Sequence, residues 1–170
     1  MRYFNGFSLV GEEIFFEDKL IESDFAVAGF SYGAQQALEY LLAHQERVDR
    51  LILLSPAFFQ DQKKSFIRAQ LRYFKADPLA YATQFLENVA YPSSVELEPY
   101  LKLGTQAELD ALLNYDWEPK KIEALAQRGV EIEVFIGAED KIVNAKSSFE
   151  FFSSLSTTTY WIKGAGHLLV

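Results

Sequence analysis

Five consecutive residues, Gly29-Phe30-Ser31-Tyr32-Gly33, match the pattern G-x-S-x-G. The pattern gains weight from its flanks. The apolar run Phe25 to Ala28 precedes it, and Ala37, Leu38, Leu41 and Leu42 follow at helical spacing. A serine at a sharp strand-to-helix turn adopts a strained backbone and holds its oxygen above the carboxyl edge of a sheet. The glycines keep neighbouring side chains out of that turn, and the start of the helix favours developing negative charge nearby. The plain alternative is a tight turn in which the serine merely caps a helix.

A serine hydroxyl is a poor nucleophile without a base, and the chain has two histidines. His44 falls near the far end of the helix that follows Ser31, more than three turns away, and is expected on the surface. His167, in "GAGH", follows the last strand-like run and opens at the same sheet edge, so it is the available base. An orienting carboxylate is offered by "VEIEVFIGAED", where Glu139 and Asp140 both follow a strand and Gly137; Asp116 is a weaker alternative. The oxyanion of an acyl transfer needs backbone donors. One is the Tyr32 N–H, next to the nucleophile, and the other comes from the loop after the first strand, where "NGF" assigns the Phe7 N–H. Losing one such donor typically costs about 3 kcal/mol of barrier.

These groups must be carried by a scaffold. Arg2 to Phe4, Phe25 to Ala28, Arg50 to Ser55, Val130 to Ile136 and Thr157 to Ile162 read as strands. Glu12 to Ile21 reads as a helix whose first-turn acids complement its dipole. Further helices are expected after Ser31, from Pro119 and over Ala145 to Leu155. The alternation implies parallel β-α-β units in one domain spanning residues 1–170, about five strands in all. From about residue 59 to 115 the pattern is helical without a clear strand, which reads as a helical cap inserted into that sheet.

Composition narrows the classes. A 170-residue chain with 49% hydrophobic and 24% charged residues suits an ordinary globular domain. Cysteine is absent and only two histidines occur, which leaves no thiolate or multi-histidine metal site, and the chemistry proposed requires no cofactor. The net charge of -8 argues against general nucleic-acid binding. No run approaches the roughly 20 apolar residues of a membrane span, and the first residues lack the pattern of a signal peptide. A cytoplasmic protein is expected.

With these residues assembled, the chain resembles a minimal α/β-hydrolase, and more narrowly the short pimeloyl-acyl-carrier-protein methyl ester esterases of biotin synthesis. The similarity runs over nearly the whole chain and rests on "RYFNGF", "AGFSYGA", "LLSPAF", "EVFIGAEDKI" and "GHLL". It implies the chain order Ser31, Asp140, His167 for the catalytic set, with the acid three residues beyond Gly137. It also implies a substrate: the methyl ester of a pimeloyl group attached to its acyl carrier protein. Against the usual frame, the opening hairpin, one strand-helix unit and the closing helix are missing. With five strands in sequential order, right-handed crossovers would place the helices on one face. The other face would lose cover, and a homodimer over it is an expectation.

A carrier protein is acidic, and "KKSFIRAQLRYFK" places Lys64, Arg68 and Arg72 at i, i+4 and i+8 on one helical face, with Lys63 and Lys75 nearby. Such a stripe can steer an acidic partner, although solvated helix faces also look like this. Phe66, Tyr73, Phe74, Tyr81, Phe85 and Tyr100 are candidates for an apolar acyl slot or for ordinary packing of the cap. Two other functions fit the same residues: a general short-chain carboxylesterase with no carrier partner, and a non-catalytic carrier-binding module.

Overall fold

A computed structural model describes residues 1–170. The chain runs β1 (Arg2–Phe4), a 3-10 turn (Glu12–Phe16), β2 (Ala26–Phe30), α1 (Tyr32–Ala43) and β3 (Arg50–Leu54). Next come α2 (Lys64–Ala76), α3 (Pro78–Ala90), a short 3-10 turn (Glu98–Tyr100) and α4 (Gln106–Leu113). It closes with α5 (Pro119–Gln127), β4 (Glu131–Gly137), α6 (Ala145–Ser153) and β5 (Thr158–Ile162). The five strands form one parallel sheet in the order β1-β2-β3-β4-β5. No helix is long and apolar enough to cross a membrane.

The sheet divides its side chains by strand period. Val27, Leu51, Leu53, Ile132, Val134 and Ile136 face one way, onto Ala34, Ala37, Leu38 and Leu41 of α1, Ile122 and Leu125 of α5, and Phe152 of α6. Ala28, Phe30, Ile52 and Leu54 face the other way. Central strands buried on both faces need continuous apolar runs, which explains "AVAGF" and the apolar part of "RLILL". Helix starts follow local rules. Asp77 accepts from the Ala80 N–H ahead of Pro78, Thr105 and Glu108 form a reciprocal capping box, and Asn144 accepts from the Ser147 N–H.

Two expectations are corrected here. The second face is not bare over β2 and β3: Phe16, Leu86, Val89 and Ala90, Leu168 and Leu169 cover it. Helix α3 crosses over from the cap to do this, which spacing alone could not show. The residues left open on that face, toward β4 and β5, are largely polar: Arg50 bonds Glu131 and Glu133, and the Tyr160 hydroxyl donates to Glu133. The second correction concerns residues 12–21, which form only one 3-10 turn, Glu12–Phe16. A lone short helix is marginal, and its anchors here are tertiary. Phe16 packs on Phe30 at 4.9 Å between ring centroids. Glu12, expected as a first-turn acid complementing a helix dipole, points inward and is fully buried.

Candidate active site

Ser31 sits between β2 and α1 with φ 54° and ψ -112°, a conformation an L-residue holds only under constraint. The constraint is visible. The Ser31 N–H donates to Leu54 O at 2.9 Å, and Ser31 O accepts from the Ala34 N–H and the Ala57 N–H, both at 3.1 Å. A Cβ on Gly33 would stand 2.0 Å from Phe4 O and 2.6 Å from Asn5 O, so glycine lets the end of β1 lie directly against the turn. A Cβ on Gly29 would meet Gly33 O at 2.1 Å. The two glycines of the motif thus serve close backbone approach.

His167 Nε2 lies 2.9 Å from Ser31 Oγ across 136 residues of sequence. Its Nδ1 lies 2.6 Å from Asp140 Oδ2. The other carboxylate oxygen, Oδ1, accepts from the Ile142 N–H at 2.7 Å and the Val143 N–H at 3.0 Å. These bonds fix the carboxylate plane and leave Oδ2 for the imidazole. The side chains of His167 and Asp140 are 0% and 1% exposed, and Ser31 is 3% exposed. In such surroundings hydrogen bonds are electrostatically stronger than in water. The Phe30 ring packs against the imidazole, tilted by 53° with centroids 5.1 Å apart. Glu139 is exposed, with only its N–H engaged, on Ala165 O, and Asp116 is also exposed. His44 caps the end of α1 at the surface, with Nδ1 2.7 Å from Tyr40 O.

Phe7 and Tyr32, whose N–H groups are expected to receive the oxyanion, both line a small cavity of about 240 Å³, which Ser31 and His167 do not line. Tyr32 is the first residue of α1, so its N–H has no acceptor one turn back. The Phe7 N–H also has no acceptor within the protein. The Phe7 side chain points into the cap, against Phe74 at 5.9 Å and Phe85 at 5.8 Å.

A larger cavity of about 510 Å³ lies within the cap, among Phe59, Phe66, Tyr81, Phe85, Leu109 and Ile142. Of the aromatics named from sequence, Phe66, Tyr73, Tyr81 and Phe85 line it. Phe74 is buried against Phe7 and Tyr81, and Tyr100 packs on Phe15. Burial pushes the Tyr81 hydroxyl up to about 12, so it stays protonated and donates to Gln70 Oε1 at 2.9 Å. The cavity ends on groups that touch the site: Phe85 packs on Phe7, and Ile142 donates its N–H to Asp140. Lys64, Arg68 and Arg72 are all exposed on the outer face of α2, and none is in an ion pair.

The model of the alpha/beta hydrolase fold family matches residues 12–119. The chain belongs to this family. No curated protein matches it in sequence. Among solved structures, an esterase from Exiguobacterium antarcticum superposes with a TM-score of 0.65 at 20% identity, covering 84% of this chain and 59% of its own. The carboxylesterase CesB from Bacillus subtilis gives 0.58 at 21%, over 93% and 57%. Naproxen esterase from Bacillus subtilis gives 0.59 at 19%, over 85% and 53%. This α/β-hydrolase chain thus spans less than two thirds of each of those structures, and at such identities the likeness speaks to the fold.

Two residues near the site carried no sequence signal of their role. Gln35 is buried and donates through Nε2 to Ala57 O at 2.9 Å and Leu112 O at 3.0 Å, tying α1 to the cap. Glu12 Oε1 accepts from the Gly6 N–H at 2.7 Å. A polar residue in a helical pattern signals only its place on its own element, such as a first-turn acid near the dipole, and not a buried partner on another segment.

Proposed function

We propose that this chain is a serine carboxylesterase, cytoplasmic and independent of cofactors, that hydrolyses the methyl ester of pimeloyl-[acyl-carrier protein]. One observation carries the chemistry: the unbroken hydrogen-bonded series from Asp140 through His167 to Ser31, at a strained turn beside two N–H groups without acceptors. Ser31 Oγ attacks the ester carbonyl and its proton passes to His167 Nε2. Asp140 holds the tautomer with Nδ1 protonated and stabilises the imidazolium. The N–H groups of Phe7 and Tyr32 receive the oxyanion. Collapse releases methanol, which takes the proton from His167. Water, deprotonated by the same nitrogen, then cleaves the acyl-serine and frees the carboxylate.

The substrate assignment draws on the family resemblance and on how α2 is disposed. Its outer face carries the unpaired Lys64, Arg68 and Arg72, and its Phe66, Gln70 and Tyr73 line the 510 Å³ cavity. That volume falls within the roughly 300–1,000 Å³ of small-molecule sites. An acidic carrier held by the stripe would present its acyl chain beside an apolar slot. The test uses purified protein with methyl pimeloyl carrier protein and with p-nitrophenyl butyrate. Ser31→Ala is expected to abolish both reactions. Arg68→Glu with Arg72→Glu should slow the carrier reaction at least tenfold and spare the small ester. Equal loss on both substrates would reject docking by the stripe and leave a general carboxylesterase, while undiminished turnover by Ser31→Ala would reject the catalytic reading.

A further inference from the structure

The Asn5-Gly6-Phe7 turn must aim one peptide N–H at a reacting atom, yet it contains a glycine, whose dihedrals are soft. Gly6 itself is dictated by crowding, since a Cβ there would stand 2.8 Å from the Phe30 ring, the same ring that packs against His167. Something else must therefore stiffen it. On one side, Gly6 O accepts from the Leu9 N–H at 3.2 Å. That carbonyl shares a peptide plane with the Phe7 N–H, so holding one fixes the direction of the other. On the other side, the Gly6 N–H donates to Glu12 Oε1 at 2.7 Å. The same oxygen accepts from the Tyr3 hydroxyl at 3.2 Å. Asn5 Oδ1 accepts from the Gly11 N–H at 3.3 Å and closes the loop around the turn. Glu12 is 0% exposed, forms no ion pair, and leaves Oε2 without a partner. Burying a carboxyl in this way is costly, and here it is spent on one backbone donor of the turn.

We propose that Glu12 is a positioning residue for the oxyanion pocket: its Oε1, seated on the Gly6 N–H, holds the turn so that the Phe7 N–H meets the developing oxyanion. The proposal rests on Ser31 being the nucleophile. It goes beyond that reading in giving a role in turnover to a residue that touches neither substrate nor any of Ser31, His167 and Asp140.

The experiment compares E12A, E12D and E12Q with the wild type on p-nitrophenyl butyrate, with folding followed by circular dichroism. The glutamine keeps an acceptor at the right reach, so E12Q should retain kcat within about threefold. Aspartate is one methylene short of Gly6 and alanine has no acceptor, so both should lose about 100-fold in kcat, the low end of the loss of an oxyanion donor. KM should hold, because the interaction acts in the transition state. A purely structural Glu12 would lower the melting temperature and leave kcat of the folded protein intact, and folded E12A or E12D with wild-type kcat overturns the proposal. If neither folds, E12Q decides it, since a 100-fold loss there shows that an acceptor at this place is not what turnover needs. Ser31→Ala, run in parallel, keeps the two readings apart. An inactive Ser31→Ala beside unaffected Glu12 variants removes only this proposal; an active one removes the nucleophile itself.

Discussion

Asp140→Asn tests the geometry of the site more sharply than removal of the side chain. Oδ1 of Asp140 accepts from two backbone donors, Ile142 N–H and Val143 N–H. In the asparagine variant only the amide oxygen can occupy that place, because an NH₂ group there would face two N–H groups. The NH₂ is therefore forced to the Oδ2 position, 2.6 Å from His167 Nδ1 in the native site. A donor at that point requires Nδ1 to be the unprotonated nitrogen, so the proton moves to Nε2. Nε2 is the atom 2.9 Å from Ser31 Oγ, and once protonated it cannot act as base. The variant should fold and bind ester normally. Its kcat should fall about 10⁴-fold, the scale for a triad histidine held in the wrong tautomer, equivalent to about 5 kcal/mol of barrier. Asp140→Ala leaves the imidazole free to choose its tautomer and should be less impaired. Glu139→Gln, altering an exposed side chain, should turn over like the wild type. The assay is p-nitrophenyl ester hydrolysis at neutral pH, joined to nitrogen-15 spectra of the imidazole. An asparagine variant with more than about a tenth of wild-type kcat, or with its proton still on Nδ1, would refute the reasoning.

Gly33→Ala would drive a methyl group to 2.0 Å from Phe4 O, a backbone atom that can yield only by moving β1; a loss of about 3 kcal/mol or more is expected in urea unfolding. The buried Glu12 gives a pH signature of the opposite sign to an ion-paired acid. Burial raises its pKa above 4.5, with Glu13 pushing the same way, against the lowering effects of the Gly6 N–H and the Tyr3 hydroxyl. Tyr3 is itself raised by burial and by Glu12, so it remains a neutral donor. The folded state thus holds the Glu12 proton more tightly than the unfolded one. Its contribution is intact below pH 4.5 and erodes as pH climbs through the raised value. E12Q should lack this erosion, so its stability relative to wild type, from urea melts across pH 4 to 8, should rise with pH and then level off; a difference that stays flat across that range would contradict the burial argument.

Much of this molecule could be read from short stretches. Strands, the long helices and the turn at Ser31 follow from apolar runs, helical spacing and glycine placement, which act over a few residues and are therefore visible in order along the chain, whereas the sequential order of the strands is only a supposition until the fold shows it. His167 could be marked because a parallel sheet sends every strand's following loop to one edge, and only two histidines were available. Tertiary structure alone decided what depends on distant partners. From the residues alone Glu139 and Asp140 were equivalent, and the family resemblance favoured the second. In the fold, the N–H groups of Ile142 and Val143 orient the Asp140 carboxylate toward an imidazole 27 residues away, while Glu139 is left in solvent. Glu12 read only as a first-turn acid of a helix, and the cover of the second sheet face was not legible in any local pattern. Both come from packing between segments far apart in sequence: Glu12 reaches back to Gly6, and α3 lies over Phe30 and Leu54. Periodicity tells a residue which side of its own element it occupies; it carries no information about which other element comes to meet that side.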